Sequence, residues 1–195
     1  MSILSEPLLR RNPAVSRKSR EAIEKELRAT PFKKNPAERY DIFLSHRTDD
    51  AVIIYSLKNF LEHFGLTVFV DWVDAPELNR SNVSPKTAER LRVAMKQSDS
   101  LLYATSETSS NSKWMPWELG YSDALHGRVA IVPISQYETE ADSYKGQEYL
   151  GLYPYITLSG IKGRQGEVFW VNESTSVYTT LLEWLNGTKP TRRVT

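Results

Sequence analysis

Two kinds of apolar pattern alternate between residues 40 and 134, and they define the middle of the chain. Short, largely apolar runs occur at 40–45, 66–70, 100–104 and 128–134. Runs of that length read as buried strands. Between them, apolar residues recur at helical spacing. Ile53, Leu57, Phe60, Leu61 and Phe64 form one such series, opened by Asp49 or Asp50 and stopped by Gly65. Ala88, Leu91, Ala94 and Met95 form the next, with Ser84-Pro85 as N-cap and first helical residue. A third helix starts near Ser112 and ends at Gly127, carrying Trp114 and Glu118 four residues apart on one face. Strands alternating with helices predict an α/β domain, a parallel sheet covered by helices on both faces.

The flanks are less regular. Residues 1–12 read as unstructured. A helix is expected over 13–29, its thin apolar face formed by Val15, Ala22, Ile23 and Leu27 and its end set by Pro31. Downstream, 153–158 and 167–171 read as strands. Ser176 reads as the cap of a last helix through Val177, Leu181, Leu182, Trp184 and Leu185, closed by Gly187. The expected organisation is a basic arm with one helix (1–39), one domain (40–187) and a frayed tail (188–195).

Composition narrows the chemistry. The chain has no cysteine, which excludes disulfides, thiolate metal sites and cysteine nucleophiles. His46, His63 and His126 lie far apart, without metal-ligand spacing, so no metal is expected. No apolar stretch approaches the length a bilayer requires, and no secretory signal opens the chain. A cytoplasmic protein away from membranes is the expectation. Residues 1–39 carry a net charge of +5 and the remainder −4. A basic arm suits an acidic partner surface or the domain itself; without interleaved aromatics, nucleic-acid binding is disfavoured.

The first strand is followed by Ser45-His46-Arg47-Thr48-Asp49-Asp50, which has no glycine. That argues against phosphate-loop enzymes and dinucleotide-dependent oxidoreductases. There is no Gly-x-Ser-x-Gly elbow. In doubly wound sheets ligands bind beyond the carboxyl ends of the strands. That rule gathers Ser45, His46 and Arg47 after strand one, Asp71 and Trp72 after strand two, and 105–110 after strand three. The Trp114–Glu118 helix starts from the same rim. A cation, two carboxylates, aromatic faces and hydroxyls together suit a nucleotide. Each member also has an ordinary structural role: Asp71 as a loop brace, His46 bonded to backbone, Arg47 paired with Asp49 or Asp50, Trp72 packed under its loop, and Trp114 in the core.

Four of these segments, in order, resemble TIR (Toll/interleukin-1 receptor) domains. Tyr40-Asp41-Ile42-Phe43-Leu44-Ser45-His46 is similar to the family's opening strand. Phe64-Gly65-Leu66-Thr67-Val68-Phe69-Val70-Asp71 is similar to its second strand and entry. Ser112-Lys113-Trp114 with Glu118 resembles the segment bearing the glutamate of NAD-cleaving members, and 128–134 resembles the fourth strand. The resemblance spans roughly 38–135; residues 136–187 are family-variable.

The resemblance implies a flavodoxin-like sheet and cleavage of the nicotinamide–ribose bond of NAD, by hydrolysis or cyclisation, with NAD as substrate and no bound cofactor. Glu118 would be catalytic. Trp114, Ser45, His46, Arg47, Asp71 and Trp72 would line the substrate pocket with the 72–83 loop. A short, self-standing TIR protein further resembles the signal-making component of Thoeris-type antiphage systems. It would act as a homo-oligomer and reach a separate effector through a cyclic ADP-ribose isomer. Two departures stand out: Pro116 lies within the Trp-to-Glu segment, and the 71–83 loop lacks glycine. A non-enzymatic TIR adaptor and a nucleoside glycosyl-transfer enzyme are the alternatives.

Overall fold

A computed structural model describes residues 1–29, 37–46, 51–70, 85–106, 112, 114–146, 148–161 and 166–192. The expected caps Asp49, Asp50 and Ser84, and the 71–83 loop, lie outside these residues. Strands β1 (Leu4–Ser5), β2 (Ile42–Ser45), β3 (Val68–Val70), β4 (Leu101–Ser106), β5 (Val129–Ser135) and β6 (Tyr155–Gly160) come first in chain order. They are followed by β7 (Glu167–Ser174), β8 (Val177–Thr180) and β9 (Thr191–Arg192). Helices are α1 (Glu6–Arg10), α2 (Pro13–Ser16), α3 (Arg20–Arg28), α4 (Ala51–His63), α5 (Pro85–Lys96), α6 (Trp114–His126) and α7 (Leu181–Leu185).

The sheet runs β3-β2-β4-β5-β6-β7-β8-β9. The first five strands in that order are parallel, giving the parallel core that the alternation predicts and the flavodoxin-like order that the resemblance implies. The last three pair antiparallel, so the complete sheet is mixed.

Alternation along each strand gives the sheet two different faces. Ile42, Leu44, Val68, Val70, Leu102 and Ala104 join a cluster with α4 and the arm. Phe43, Phe69, Leu101, Tyr103 and Ile131 join Leu91 and Met95 of α5 and Trp114, Met115 and Leu119 of α6. A buried leucine on either face contributes ~1.5–3 kcal/mol relative to exposure.

The structure corrects the reading of the arm. Residues 1–12 are not unstructured, because β1 and α1 lie within them. Leu4 and Ser5 pair parallel with Ile134 and Ser135 of β5, and Ser2 bridges Leu158 of β6. Strands β5 and β6 meet only at Ile131 and Tyr155, and β1 fills the gap where they diverge. The expected single helix over 13–29 is two. Ser19 interrupts it in an extended conformation (ψ 156°) and caps α3 by accepting from the Ala22 N–H. Leu9, Val15, Ile23 and Leu27 are buried against α4, so the arm is a built part of the core.

Two further corrections fall at the far end. Residues 177–180 form β8 rather than the start of a helix. Their β-branched and aromatic side chains suit a strand, and Tyr178 pairs opposite Asn172. Helix α7 starts one turn later under a capping box between Thr180 and Glu183. The tail expected to fray instead contributes Thr191–Arg192 as β9.

Candidate active site

In the observed strand order the chain departs in opposite directions from β2 and β4, so a crevice opens at their carboxyl ends. Ser45 and Tyr103 are the paired residues at that position. Ser45 shares the sheet face of Phe43, two residues before it, and Tyr103 that of Leu101. Both therefore point toward α5 and α6.

Helix α6 supplies the third group. Ser112 anchors its start, accepting from the Met115 N–H at 3.3 Å, as the sequence predicts for a cap near this residue. Pro116 sits in the first turn, where a missing N–H costs no intrahelical bond, and the helix runs unbroken through His126. It stops at Gly127, whose φ of +62° suits glycine. Glu118 is the fifth residue of α6, beyond the first turn in which the helix dipole acts most strongly. Its place is fixed by side-chain contact: the Ser45 hydroxyl donates to Glu118 Oε2 at 2.6 Å. Ser45 is 1% and Glu118 5% exposed, so this is a buried, charge-assisted bond between residues 73 positions apart.

Aromatic residues flank Glu118 along α6. Trp114, one turn before it, is buried and meets Trp117 edge-on, with ring centroids 5.5 Å apart. Trp117 stacks on Tyr121 and lies under the Arg92 guanidinium. Tyr103 is held well above the usual phenol range, first by burial and then by the negative potential of Tyr149, Glu118 and Tyr144. At neutral pH it is a neutral phenol beside Glu118.

Of the residues expected at the site, Ser45, Glu118 and Trp114 come together on one face. His46 is buried beside them, and its Nδ1 lies 3.1 Å from the Leu44 carbonyl. A carbonyl only accepts, so Nδ1 carries the proton and the ring is anchored to the backbone. Arg47, Asp71 and Trp72 lie outside the described residues. Tyr103 went unread, since a tyrosine inside an apolar run reads as an ordinary strand former. Its signal is its parity with Leu101, which becomes decisive only once the register with Ser45 is known. Among the described residues, no group of three or more His, Asp or Glu is arranged to hold a metal.

Beyond Tyr103, a cleft of about 420 Å³ opens over the ends of β4 and β5. Tyr144, Tyr149, Thr105, Ser106 and Ile3 are among its walls. The chemistry available is that of a nucleotide site: one buried carboxylate, hydroxyls on strand ends, and several aromatic faces.

The family profile described as TIR domain matches residues 42–167. The chain belongs to the TIR-domain family. A probable 3' cyclic ADP-D-ribose synthase, ThsB', of Bacillus cereus is 48% identical to it over 148 residues, covering 75% of each chain. A putative cyclic ADP-D-ribose synthase of Cytobacillus dafuensis is 30% identical over 97 residues, 49% of this chain and 26% of that one. This TIR domain therefore resembles curated proteins named for making cyclic ADP-ribose.

Proposed function

We propose that this TIR domain cleaves the nicotinamide–ribose bond of NAD and closes the remaining ADP-ribose into a cyclic isomer that serves as an antiphage signal. The observation that carries the reading is Glu118, a carboxylate buried at the sheet's switch point and held by Ser45. The names of the two relatives support it independently.

The chemistry requires little more than this carboxylate. The glycosidic C–N bond breaks and its electron pair returns to the pyridine nitrogen, so nicotinamide leaves neutral and needs no general acid. Positive charge develops on the ribose as an oxocarbenium-like centre. A fixed anion in a low-dielectric wall stabilises that charge more than water would. The Ser45 hydroxyl orients the carboxylate without neutralising it. A hydroxyl of the same ADP-ribose, giving up its proton to solvent, or a ring nitrogen, using its lone pair, then forms the new bond to the anomeric carbon and gives the cyclic product. Water attacking in its place gives linear ADP-ribose.

In this reading Glu118 is the catalytic residue and Trp114, Ser45 and His46 build the wall, together with Arg47, Asp71 and Trp72. The protein works as a homo-oligomer in the cytoplasm, consumes NAD as substrate without a resident cofactor, and signals to a separate effector. Incubation with NAD beside the Glu118→Ala variant tests the reading, with products separated by chromatography and weighed. Nicotinamide release that disappears in the variant is expected. Equal release by a folded variant removes Glu118 from the chemistry, and silence of the wild type even with infected-cell extract favours a non-enzymatic interaction module.

A further inference from the structure

At the end of the sheet opposite the crevice, the chain turns from α6 into β5 through His126-Gly127-Arg128. Three hydrogen bonds tie the turn. Gly127, at φ +62°, donates its N–H to the Asp123 carbonyl at 2.9 Å. The Arg128 carbonyl accepts from the Leu101 N–H at 2.9 Å, joining the start of β5 to that of β4. The Arg128 N–H donates to Nδ1 of His126 at 3.1 Å. A backbone N–H only donates, so Nδ1 is bare and the neutral ring carries its proton on Nε2. That Nε2 is buried and has no hydrogen-bond partner among the described residues. Four charged groups act on the ring: Arg128 beside it, Arg39 before β2, Asp99 before β4, and Asp123 one turn back on α6. Both carboxylates are already bonded elsewhere, Asp99 to Arg39 Nε and Asp123 to the Tyr153 hydroxyl at 3.0 Å.

We propose that His126 is a pH-operated catch between α6 and β5, closed while its ring is neutral and opened when the ring takes up a second proton. That proton can go only to Nδ1, where it meets the Arg128 N–H donor against donor. The ring then has two N–H groups and no acceptor in the turn, so it swings out to water and the Arg128 N–H loses its partner. Burial, with the guanidiniums of Arg128 and Arg39, holds the ring's pKa below its ordinary value of 6.5 against the pull of Asp99 and Asp123. The unfolded chain therefore takes the proton first. The catch's contribution to stability is present above about pH 6.5 and is lost as pH falls from there toward the lower folded value. Glu118 lies two turns upstream on the same helix, so an open catch loosens the element that bears the carboxylate. That last consequence, slower turnover in acid, rests on the NAD-cleaving reading; the catch itself does not.

The test follows the His126 ring signals and the exchange of the Arg128 amide by NMR, between about pH 5 and pH 8, in the wild type, His126→Asn and His126→Phe. Asparagine keeps an acceptor for the N–H two residues on, as in an Asx-turn, but does not titrate. Phenylalanine keeps a ring and has no acceptor. In the wild type the opening reported by the Arg128 amide is expected to rise by up to about tenfold per pH unit below about 6.5. In His126→Asn it stays level at matched pH, and in His126→Phe the amide is unprotected throughout. The wild type carries the test even where a variant does not fold, because its ring and its Arg128 amide must titrate together. A ring that titrates without disturbing the Arg128 amide overturns the proposal. So do matching pH profiles in the wild type and His126→Asn, or full protection of Arg128 in folded His126→Phe. Nicotinamide release should fall more steeply in acid in the wild type than in His126→Asn. An exchange difference in a protein that releases no nicotinamide would keep the catch and discard the NAD-cleaving reading. Nicotinamide release with matching exchange profiles would do the reverse.

Discussion

The two faces of the central sheet are written by the same strands and differ in almost every physical property. The face under α4 and the arm is aliphatic: Ile42, Leu44, Val70, Leu102, Ala130 and Val132 meet Leu57 and Leu61 with no buried charge among them. The face under α5 and α6 is aromatic, and at its upper edge it holds Ser45, Tyr103 and Glu118. Burying a carboxylate costs free energy that hydrogen bonding only partly restores. The fold accepts that cost on one face and offsets it with dry packing on the other. Stability and chemistry are thereby separated by a period of two residues.

The largest expected effect breaks the reactive face alone. Glu118→Ala is expected to lower NAD cleavage by at least ~10²-fold, the scale of removing one preorganised electrostatic group. Its melting temperature should stay level or rise, because a buried charge is lost. A fall of several degrees would mean that Glu118 is structural. The matching change on the dry face is Leu102→Ala, at a fully buried position. Chemical denaturation should show a loss of ~2–5 kcal/mol, with activity per folded molecule preserved. Reduced activity in folded Leu102→Ala protein would show that the two faces are coupled.

A finer change probes the bond that joins strand to helix. Ser45→Ala leaves the Glu118 carboxylate in place but removes the hydroxyl that donates to it. A hydrogen bond to a charged group is worth ~1.5–3 kcal/mol. Activity should fall by roughly tenfold, with stability lowered by an amount within that range. Ser45→Thr, which keeps the hydroxyl, should recover part of both. No recovery would locate the role of Ser45 in packing.

How much of this was readable depended on where each element's information lies. The parallel core was legible because its strands are buried on both faces and form unbroken apolar runs, as at residues 42–44 and 129–134. Ser45 and Glu118 were legible because a polar group at a strand end and a carboxylate one turn past a tryptophan are conspicuous in sequence. The arm was not. Leu4 and Leu9 make a pattern too short to suggest a strand and a helix, and both owe their order to partners more than forty residues away, Ile134 and Ser56. Residues 177–180 were misread because Val177 and Leu181 fit helical spacing, while the hairpin with β7 is a tertiary fact. Tyr103 stayed hidden for the same reason, since its meaning lies in its register with Ser45.

That register yields the smallest predicted effect, and the one that isolates Tyr103 from its neighbours. Burial raises its ionisation above the unfolded phenol value of about 10. Below that value the folded and unfolded states both keep the proton, and the group adds no pH dependence. Above it the unfolded chain ionises while folded Tyr103 resists, so stability falls as pH rises until the folded pKa is passed. Tyr144 and Tyr155 are shifted the same way by burial, and the wild type should therefore lose stability in alkali through several groups. Tyr103→Phe keeps the ring against Trp114 and Ile131 and removes one of them. Urea unfolding of both proteins at neutral pH and at pH values above about 10 should show the variant's stability declining less steeply in alkali. Parallel declines would mean that the Tyr103 phenol is solvated in the folded protein.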